Sequence, residues 1–218
     1  MKEKQKMKEK VKEFIAKNLK WIILFICLIG FLAIAEDVFN KEIMNGDIVG
    51  YKLISTFLIS DFATPIAKFI TNFGGAIFLT ILTIILFILI KNKKIGVSIF
   101  SNLAIITALN QLLKNILQRP RPTEYRIIEE TGYSFPSGHS MISMAFYGYI
   151  IYLIYKYVTN KYIKWFSIVL LSILICSIGI SRIYLGVHYT SDVLGGFLIS
   201  VSYLVIYISA VNKFLIEK

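Results

Sequence analysis

A histidine that could attack phosphorus and a carboxylate that could orient it lie four residues apart near the carboxyl end of the chain. His188 and Asp192 belong to the segment Ser-Arg-Ile-Tyr-Leu-Gly-Val-His-Tyr-Thr-Ser-Asp, residues 181–192. In a helix this spacing lets the carboxylate fix the imidazole tautomer and leaves the other ring nitrogen free as a nucleophile or general base. Arg182 adds a forked cation that suits phosphate. The same spacing also occurs at ordinary helix starts, so this chemistry requires partners elsewhere.

A second histidine follows a short turn that precedes an apolar segment. The sequence Pro-Ser-Gly-His, residues 136–139, is expected to open a helix. A Ser-Gly turn at Ser137 and Gly138 offers backbone N–H groups to an anion, as helix starts commonly do. His139 at this position could donate a proton to a leaving group.

A third cluster consists of cations at the end of another apolar segment. Residues 114–122 read Lys-Asn-Ile-Leu-Gln-Arg-Pro-Arg-Pro. Lys114 and Arg121 are two helical turns apart, so we expect them to share one face if the helix persists until the prolines stop it. Taken alone, such cations are equally typical of a membrane boundary. Arg119 receives no role, and the acids of the next loop are interpreted as solvated. Those acids are Glu124, Glu129 and Glu130.

The composition is that of a membrane protein. The chain has 218 residues, is 56% hydrophobic and has a mean hydropathy of +0.69, whereas ordinary soluble domains are roughly 45–50% apolar. Its net charge of +11 would suggest a nucleic-acid partner in a soluble protein. Here topology explains the charge, so we expect a lipid bilayer and a membrane lipid as partners and no nucleic acid. Cys27 and Cys176 lie within apolar segments, which argues against a disulfide or a metal site.

Six segments, uncharged apart from a snorkelling Lys20 at the start of the first, approach or reach the length needed to cross a bilayer. They predict an all-α fold, a polytopic membrane protein with six transmembrane helices in one bundle. A basic cytoplasmic arm, residues 1–18, precedes the bundle domain, residues 19–218. The predicted spans are 19–35, 69–90, 95–113, 140–155, 165–181 and 193–212.

The segment between the first two spans, residues 36–68, mixes charged and apolar residues and is expected not to cross. We interpret Asn45-Gly46-Asp47 as a turn and Pro65 as a helix breaker. The apolar residues fall near helical spacing, which predicts an amphipathic helix at the membrane interface. These residues are Ile48, Leu53, Ile54, Phe57, Leu58 and Phe62.

The loop charges predict the orientation in the membrane, because Lys and Arg accumulate in cytoplasmic loops. With six spans, the side that holds both termini carries sixteen Lys and Arg and four acids, whereas the other side carries eight cations and nine acids. Both termini are therefore expected in the cytoplasm of a cell-membrane protein. All three clusters, residues 114–122, 136–139 and 181–192, then reach the outer face.

Together the three clusters resemble the three-part signature of the type 2 phosphatidic acid phosphatase (PAP2) superfamily. The resemblance covers residues 114–192, and the layout of six spans extends it to most of the chain. The positions that carry it are Lys114, Arg121, Pro122, Pro136, Ser137, Gly138, His139, Ser181, Arg182, His188 and Asp192.

The resemblance implies a role for each of these residues. His188 would attack phosphorus to form a phosphohistidine, and Asp192 would orient it. His139 would protonate the leaving group and later activate water. The phosphate would be bound by Lys114, Arg121, Arg182, Ser137 and Gly138.

No cofactor is expected. Asp192 is the only carboxylate in the signature, and a magnesium site would need several. The resemblance implies a metal-independent lipid phosphatase acting on undecaprenyl diphosphate, phosphatidylglycerol phosphate or phosphatidic acid. The diphosphate ranks first, because three cations suit a highly charged head group.

Two alternatives remain open at this point. The same signature occurs in vanadium-dependent haloperoxidases, which resemble larger soluble proteins. A non-catalytic lipid-phosphate binder or transporter would use the same cations without hydrolysis, although the presence of both His139 and His188 counts against it.

Overall fold

The protein is helical throughout its regular structure. The computed structural model describes residues 2–41 and 44–216, and its helices confirm the predicted all-α class. The side chains of most residues in the basic arm, residues 1–18, lie outside this description. The helices are α1 (Lys2–Phe39), α2 (Asn45–Phe57), α3 (Ala63–Asn72), α4 (Ala76–Leu89), α5 (Lys93–Leu117), α6 (Gly138–Tyr157), α7 (Lys161–Tyr184), α8 (Thr190–Val211) and a short π-helix (Asn212–Ile216).

The number of candidate membrane spans is smaller than the six predicted. Over the described residues, four helices are long and apolar enough to cross a membrane: Lys17–Phe39 within α1, α5, α7, and α8 extended to Phe214. Helices α3 and α4 qualify together as a fifth span that is bent by 49°. The prediction of six spans is therefore not confirmed.

Helix α6 accounts for the difference. It occupies the fourth predicted span, but its 20 residues include several Ser, Gly and Tyr, which lower its hydropathy. The helix packs against α5, α7 and α8. A helix with protein on several sides needs less lipid-compatible surface, so its composition no longer resembles that of a lipid-facing span.

The second predicted span, residues 69–90, is broken into α3 and α4. The break follows Asn72, and Gly74 lies so close to α7 that an added Cβ would be 2.7 Å from Cγ2 of Ile178. Pro65 lies in the first turn of α3, where the missing proline N–H costs no intrahelical bond. The interpretation of Pro65 as a breaker was therefore wrong.

Helix α2 begins where the sequence predicted a turn. Asn45-Gly46-Asp47 forms its first turn, and Asp47 is buried there. An acid in the first turn suits the positive end of the helix dipole, which favours the helix over a free turn. The helix also leaves apolar side chains exposed. These are Ile48, Val49, Leu53 and Phe57. The predicted interfacial position of this helix is not confirmed.

The bundle brings four helix ends together. The N–H of Ser137, which caps α6, donates to the carbonyl of Asp192 in the first turn of α8. Asn110 near the end of α5 donates to the carbonyl of Pro136 just before α6, and Gly179 in α7 packs against Val193 in α8. The loop between α5 and α6, residues 118–137, joins two of these ends. All three clusters of chemically active residues lie at this end of the molecule.

Candidate active site

The histidine and carboxylate predicted to act together are in contact. His188 lies in the loop before α8, and its Nδ1 is 3.2 Å from Oδ2 of Asp192. Both side chains are buried, at 2% and 0% exposure. The same carboxylate oxygen accepts the backbone N–H of Tyr189 (2.8 Å) and the hydroxyl of Ser134. Because a carboxylate can only accept, we assign the ring proton to Nδ1, which leaves a lone pair on Nε2.

Burial keeps this imidazole neutral. Desolvation lowers the pKa of His188 to about 4, although the hydrogen bond and the charge of Asp192 act in the opposite direction. The nearby cations Arg182 and Arg121 contribute to this lowering of the pKa. At neutral pH, Nε2 is therefore unprotonated and able to act as a nucleophile.

The loop that carries His188 depends on a glycine. Gly186 has φ +69°, and a Cβ added there would lie 2.0 Å from the carbonyl oxygen of Tyr125. A hydrogen bond from Ile127 N–H to the carbonyl of Leu185 (3.0 Å) joins the same two segments. A side chain at Gly186 would separate the α7–α8 loop from the loop before α6 and displace the histidine.

Arg121 lies beside the attacking nitrogen. Its Nη1 is 2.9 Å from Nε2 of His188 and donates to the carbonyl of Val187 at 3.0 Å. The carbonyls of Gly132 and Thr131 accept from Nε and Nη2, each at 3.0 Å. The guanidinium is thus held in one orientation at the place where a phosphoryl group would meet His188.

The sequence predicted that Arg121 shares a helix face with Lys114, but the structure shows that it does not. Helix α5 ends at Leu117, and Gln118 adopts a left-handed conformation with φ +45°. The chain therefore leaves the helix before Pro120, and Arg121 reaches the site from an irregular segment. Lys114 remains in the last turn of α5, where its Nζ donates to the carbonyls of Tyr133 and Ser134 (3.3 Å for the latter).

Arg182 is almost completely buried and partly paired. Its Nη1 donates to Oγ1 of Thr71 at 2.8 Å, and its Nη2 forms an ion pair with Glu130 at 2.9 Å. Glu130 is therefore not merely solvated, as its place in a loop suggested. The Nε of Arg182 is buried and has no hydrogen-bond partner among the described residues. This buried guanidinium donor is therefore available to an anion.

The Pro-Ser-Gly-His segment begins α6 beside these cations. The hydroxyl of Ser137 accepts from the N–H of Ser140 at 3.4 Å and so caps the helix. Asn110 on α5 supports the turn by donating to the carbonyl of Pro136 at 3.2 Å. The amides of Gly138 and His139 occupy the first helical positions, where N–H groups lack intrahelical acceptors and can face an anion.

His139 lies among the other signature residues. It is close enough to interact electrostatically with His188 and with the three cations Arg182, Arg121 and Lys114. The structure thus brings together at one end of the bundle all eight residues to which the sequence assigned a role: His188, His139, Asp192, Lys114, Arg121, Arg182, Ser137 and Gly138.

Comparison with known proteins agrees with this arrangement. The model of the PAP2 superfamily matches residues 93–216, more than half of the chain. The chain belongs to the PAP2 superfamily. The match covers α5 to α8 and includes every signature residue described above.

Two curated relatives are phosphatases. Phosphatidylglycerophosphatase B of Bacillus subtilis (strain 168) is 42% identical over 91 residues, which is 41% of this chain and 44% of that protein. The match thus spans less than half of that relative. The undecaprenyl-diphosphatase of Sulfolobus acidocaldarius is 26% identical over 191 residues, covering 82% of this chain and 84% of the relative.

A solved structure shares the fold. The crystal structure of a transmembrane PAP2-type phosphatidylglycerolphosphate phosphatase from Bacillus subtilis superposes with a TM-score of 0.76 and 27% sequence identity. The match covers 88% of this chain and 96% of that structure. These findings confirm the predicted family and the assignment to phosphatases, and they support a multi-pass membrane protein.

Neither Arg119 nor Asp47 has a role in the sequence analysis, yet both belong to this PAP2 site. Arg119 joins Asp47 and Asp192 through ion pairs of 2.7 Å each, and Asp47 also accepts from the backbone N–H of Ser191 at 2.8 Å. Burial alone would lower the pKa of Arg119, but the two carboxylates outweigh it and raise the pKa. The sequence carries no signal for Asp47, because Asn45-Gly46-Asp47 has the composition of a turn and its partners are distant in the chain.

Proposed function

We propose that this protein is an integral-membrane lipid phosphatase that transfers the phosphoryl group of a lipid phosphate to His188 and then to water. The proposal rests on the hydrogen bonds and the neutral charge of the His188 imidazole. Its Nδ1 is bound to buried Asp192, and its neutral Nε2 lies 2.9 Å from Arg121. A binder or transporter would need the cations but not an oriented nucleophile.

In the first step, Nε2 of His188 attacks phosphorus and forms a P–N bond. The bond from phosphorus to the leaving oxygen breaks, and its electron pair goes to that oxygen. In the free site, burial and the nearby cations oppose a positive charge on His139. The bound phosphate offsets those cations, so His139 takes up a proton with the substrate and donates it to the leaving oxygen. The imidazole becomes a phosphorylated cation, which Asp192 stabilises through Nδ1–H. In the second step, the oxygen of a water molecule attacks phosphorus while His139 accepts a proton from that water. The P–N electrons return to Nε2, and inorganic phosphate leaves.

The three cations stabilise the charge on the phosphoryl oxygens. Arg121 already lies at Nε2, and Arg182 offers its unpaired Nε. Fixed donors of this kind supply the electrostatic stabilisation that phosphoryl transfer requires. Asp192 accepts from Arg119, Ser134, His188 and Tyr189, so it has little capacity left for a magnesium ion. We therefore propose a reaction without a metal cofactor.

The charge balance changes the ranking of substrates. Lys114, Arg121 and Arg182 provide three positive charges, but Glu130 pairs with Arg182 at 2.9 Å. The network of Asp47, Arg119 and Asp192 adds one further negative charge. The small positive excess that remains suits a dianionic phosphate monoester better than a more highly charged diphosphate. We therefore rank lipid monoesters, such as phosphatidylglycerol phosphate and phosphatidic acid, above undecaprenyl diphosphate.

We further propose that α6 is a sixth span and that α2 lies at the membrane interface. Successive antiparallel helices then place both termini in the cytoplasm and the active site at the outer face, in accordance with the loop charges. A lipid could approach from the side with its phosphate at the height of the cations and its tail in the bilayer.

A phosphate-release panel tests the substrate class. The purified protein in EDTA should release phosphate from lipid monoesters at a kcat/KM at least about 100-fold above that for glucose 6-phosphate, because the tail adds binding energy near the site. Similar values for lipid and soluble esters would refute the lipid assignment. A higher kcat/KM for undecaprenyl diphosphate than for the monoesters would overturn only the ranking, and a requirement for Mg²⁺ would contradict the proposed metal independence.

Cysteine labelling tests the orientation. In a protein with Cys27→Ala and Cys176→Ala, we expect a cysteine at Thr123 to react with an impermeant maleimide outside intact cells. A cysteine at Asn92 should react only after the membrane is opened. Both positions are exposed, so access depends on the side of the membrane. The reverse pattern would place the active site in the cytoplasm.

A further inference from the structure

We infer that Asp47 and Arg119 are positioning residues of the active site, which hold Asp192 and, through it, the attacking imidazole of His188. The inference rests on the proposed function, because it assigns these two residues a part in the reaction at His188. Each acts through Asp192 rather than on the substrate.

Arg119 forms a fork between two carboxylates. Its Nη2 is 2.7 Å from Oδ2 of Asp47, and its Nη1 is 2.7 Å from Oδ1 of Asp192. The three side chains are between 0% and 7% exposed. The guanidinium also lies over the ring of Tyr189, 4.1 Å from its centroid. Contacts on both edges and one face fix the orientation of this arginine.

The two oxygens of Asp192 have different tasks. Oδ1 pairs with Arg119, whereas Oδ2 accepts from Nδ1 of His188 (3.2 Å) and the backbone N–H of Tyr189 (2.8 Å). A carboxylate is planar, so an arginine that fixes Oδ1 also fixes the direction of Oδ2. The position of the imidazole is thereby coupled to Arg119.

Asp47 secures the same region from a different helix. Its Oδ1 accepts both the N–H (2.8 Å) and the hydroxyl (2.6 Å) of Ser191, the residue before Asp192. The first turn of α2 is thus bound to the first turn of α8, across 144 positions of sequence. This contact holds the Asp192 backbone, while Arg119 holds its side chain.

The charges of the network also bear on catalysis. If Arg119 paired with Asp192 alone, it would neutralise the charge that must stabilise the imidazolium formed at His188. Asp47 balances Arg119, so the three groups together carry one negative charge. Replacing Asp47 by a neutral residue should therefore weaken the stabilisation of protonated His188 without changing any group that contacts it.

The variant Asp47→Asn tests this coupling. The charged or titratable groups that face His188 are all retained in it: Asp192 on α8, Arg182 on α7, His139 on α6 and Arg121 in the preceding loop. We expect kcat to fall about 10- to 100-fold with little change in KM. This is the range seen when a residue that orients a metal-binding histidine is replaced. The acid limb of kcat/KM should move to lower pH, because His188 would bind a proton less readily. Glu129→Gln is the control, since it removes one negative charge from an exposed side chain in a neighbouring loop.

Arg119→Gln and a double variant test the charge coupling within the network. Arg119→Gln leaves two carboxylates without their shared cation, and we expect it to lose more activity than Asp47→Asn. The double variant Asp47→Asn/Arg119→Gln restores a single negative charge at Asp192, so it should be more active than Arg119→Gln alone. A double variant no more active than Arg119→Gln would overturn the charge coupling.

A spectroscopic measurement reports on the His188 ring directly, so it also applies to variants that lose activity or stability for other reasons. The chain has two histidines, so ¹⁵N-histidine NMR with His139→Gln as the assignment control isolates the His188 ring. A changed Nδ1 signal or proton affinity in folded Asp47→Asn would support the inference, and a wild-type ring with a wild-type pH profile would refute it. If the wild-type protein released phosphate from none of the lipid phosphates, the proposed function would be refuted instead.

Discussion

Replacing His188 by alanine is expected to reduce turnover of lipid phosphates by a factor on the order of 10⁵ to 10⁶. Among the residues that the structure describes, the His188 imidazole is the only group with an unprotonated nitrogen beside Arg121 and a buried carboxylate on its other nitrogen. Its loss removes the nucleophile, and the remaining cations can bind substrate but cannot form the intermediate. The measurement is phosphate release from a lipid monoester under conditions that saturate the wild-type protein.

Trapping of the intermediate gives an independent readout. Wild-type protein quenched during turnover of a ³²P-labelled substrate should carry label that is stable in alkali and lost in acid, as expected of phosphohistidine. His188→Ala should carry none, while its binding of product phosphate or lipid should persist because Arg121, Arg182 and Lys114 remain. Label that resists acid, or label retained by His188→Ala, would assign the nucleophile to another residue.

The sequence predicted the residues of the site better than the way they are brought together. His188 and Asp192 are in contact, as their spacing predicted, but His188 is not helical. Asp192 in the first turn of α8 reaches back to the loop before the helix and accepts from His188 and from the N–H of Tyr189. Arg121, by contrast, reaches the same point from an irregular segment, because Gln118 ends α5 in a left-handed conformation. The prolines at 120 and 122 indicated that the helix must end, but not that it ends before them.

Long-range contacts explain the residues that the sequence analysis missed. Asp47 pairs with Arg119 across 72 positions and with Ser191 across 144. No periodic pattern connects residues so far apart, and Asn45-Gly46-Asp47 has the composition of a turn. The first turn of α2 is helical in a context that only the folded bundle supplies, where buried Asp47 meets its two partners.

The span prediction was limited by the same kind of tertiary effect. Hydropathy measures how well a segment suits lipid, but α6 packs mainly against other helices. Its Ser, Gly and Tyr residues suit that packing and reduce its apolar character. The break between α3 and α4 likewise depends on Gly74 fitting against Ile178, a contact between distant parts of the chain.

Replacing His139 by alanine is expected to have a different effect from the loss of His188. For a lipid substrate the leaving oxygen is an alkoxide that needs a proton, and we expect kcat to fall about 10²- to 10⁴-fold, the usual contribution of a general acid. For p-nitrophenyl phosphate, whose leaving group needs no proton, formation of the intermediate should be nearly unaffected.

The second step then becomes the slow one in His139→Ala. His139 is also the proposed base for water, so phosphoryl-His188 should accumulate. Rapid mixing with p-nitrophenyl phosphate should give a burst of p-nitrophenol close to one equivalent per active site, followed by a slow steady rate. His188→Ala is the matched control and should give no burst. Equal loss of activity toward alkyl and aryl esters, without a burst, would exclude His139 as the acid and base and restrict it to binding the phosphate.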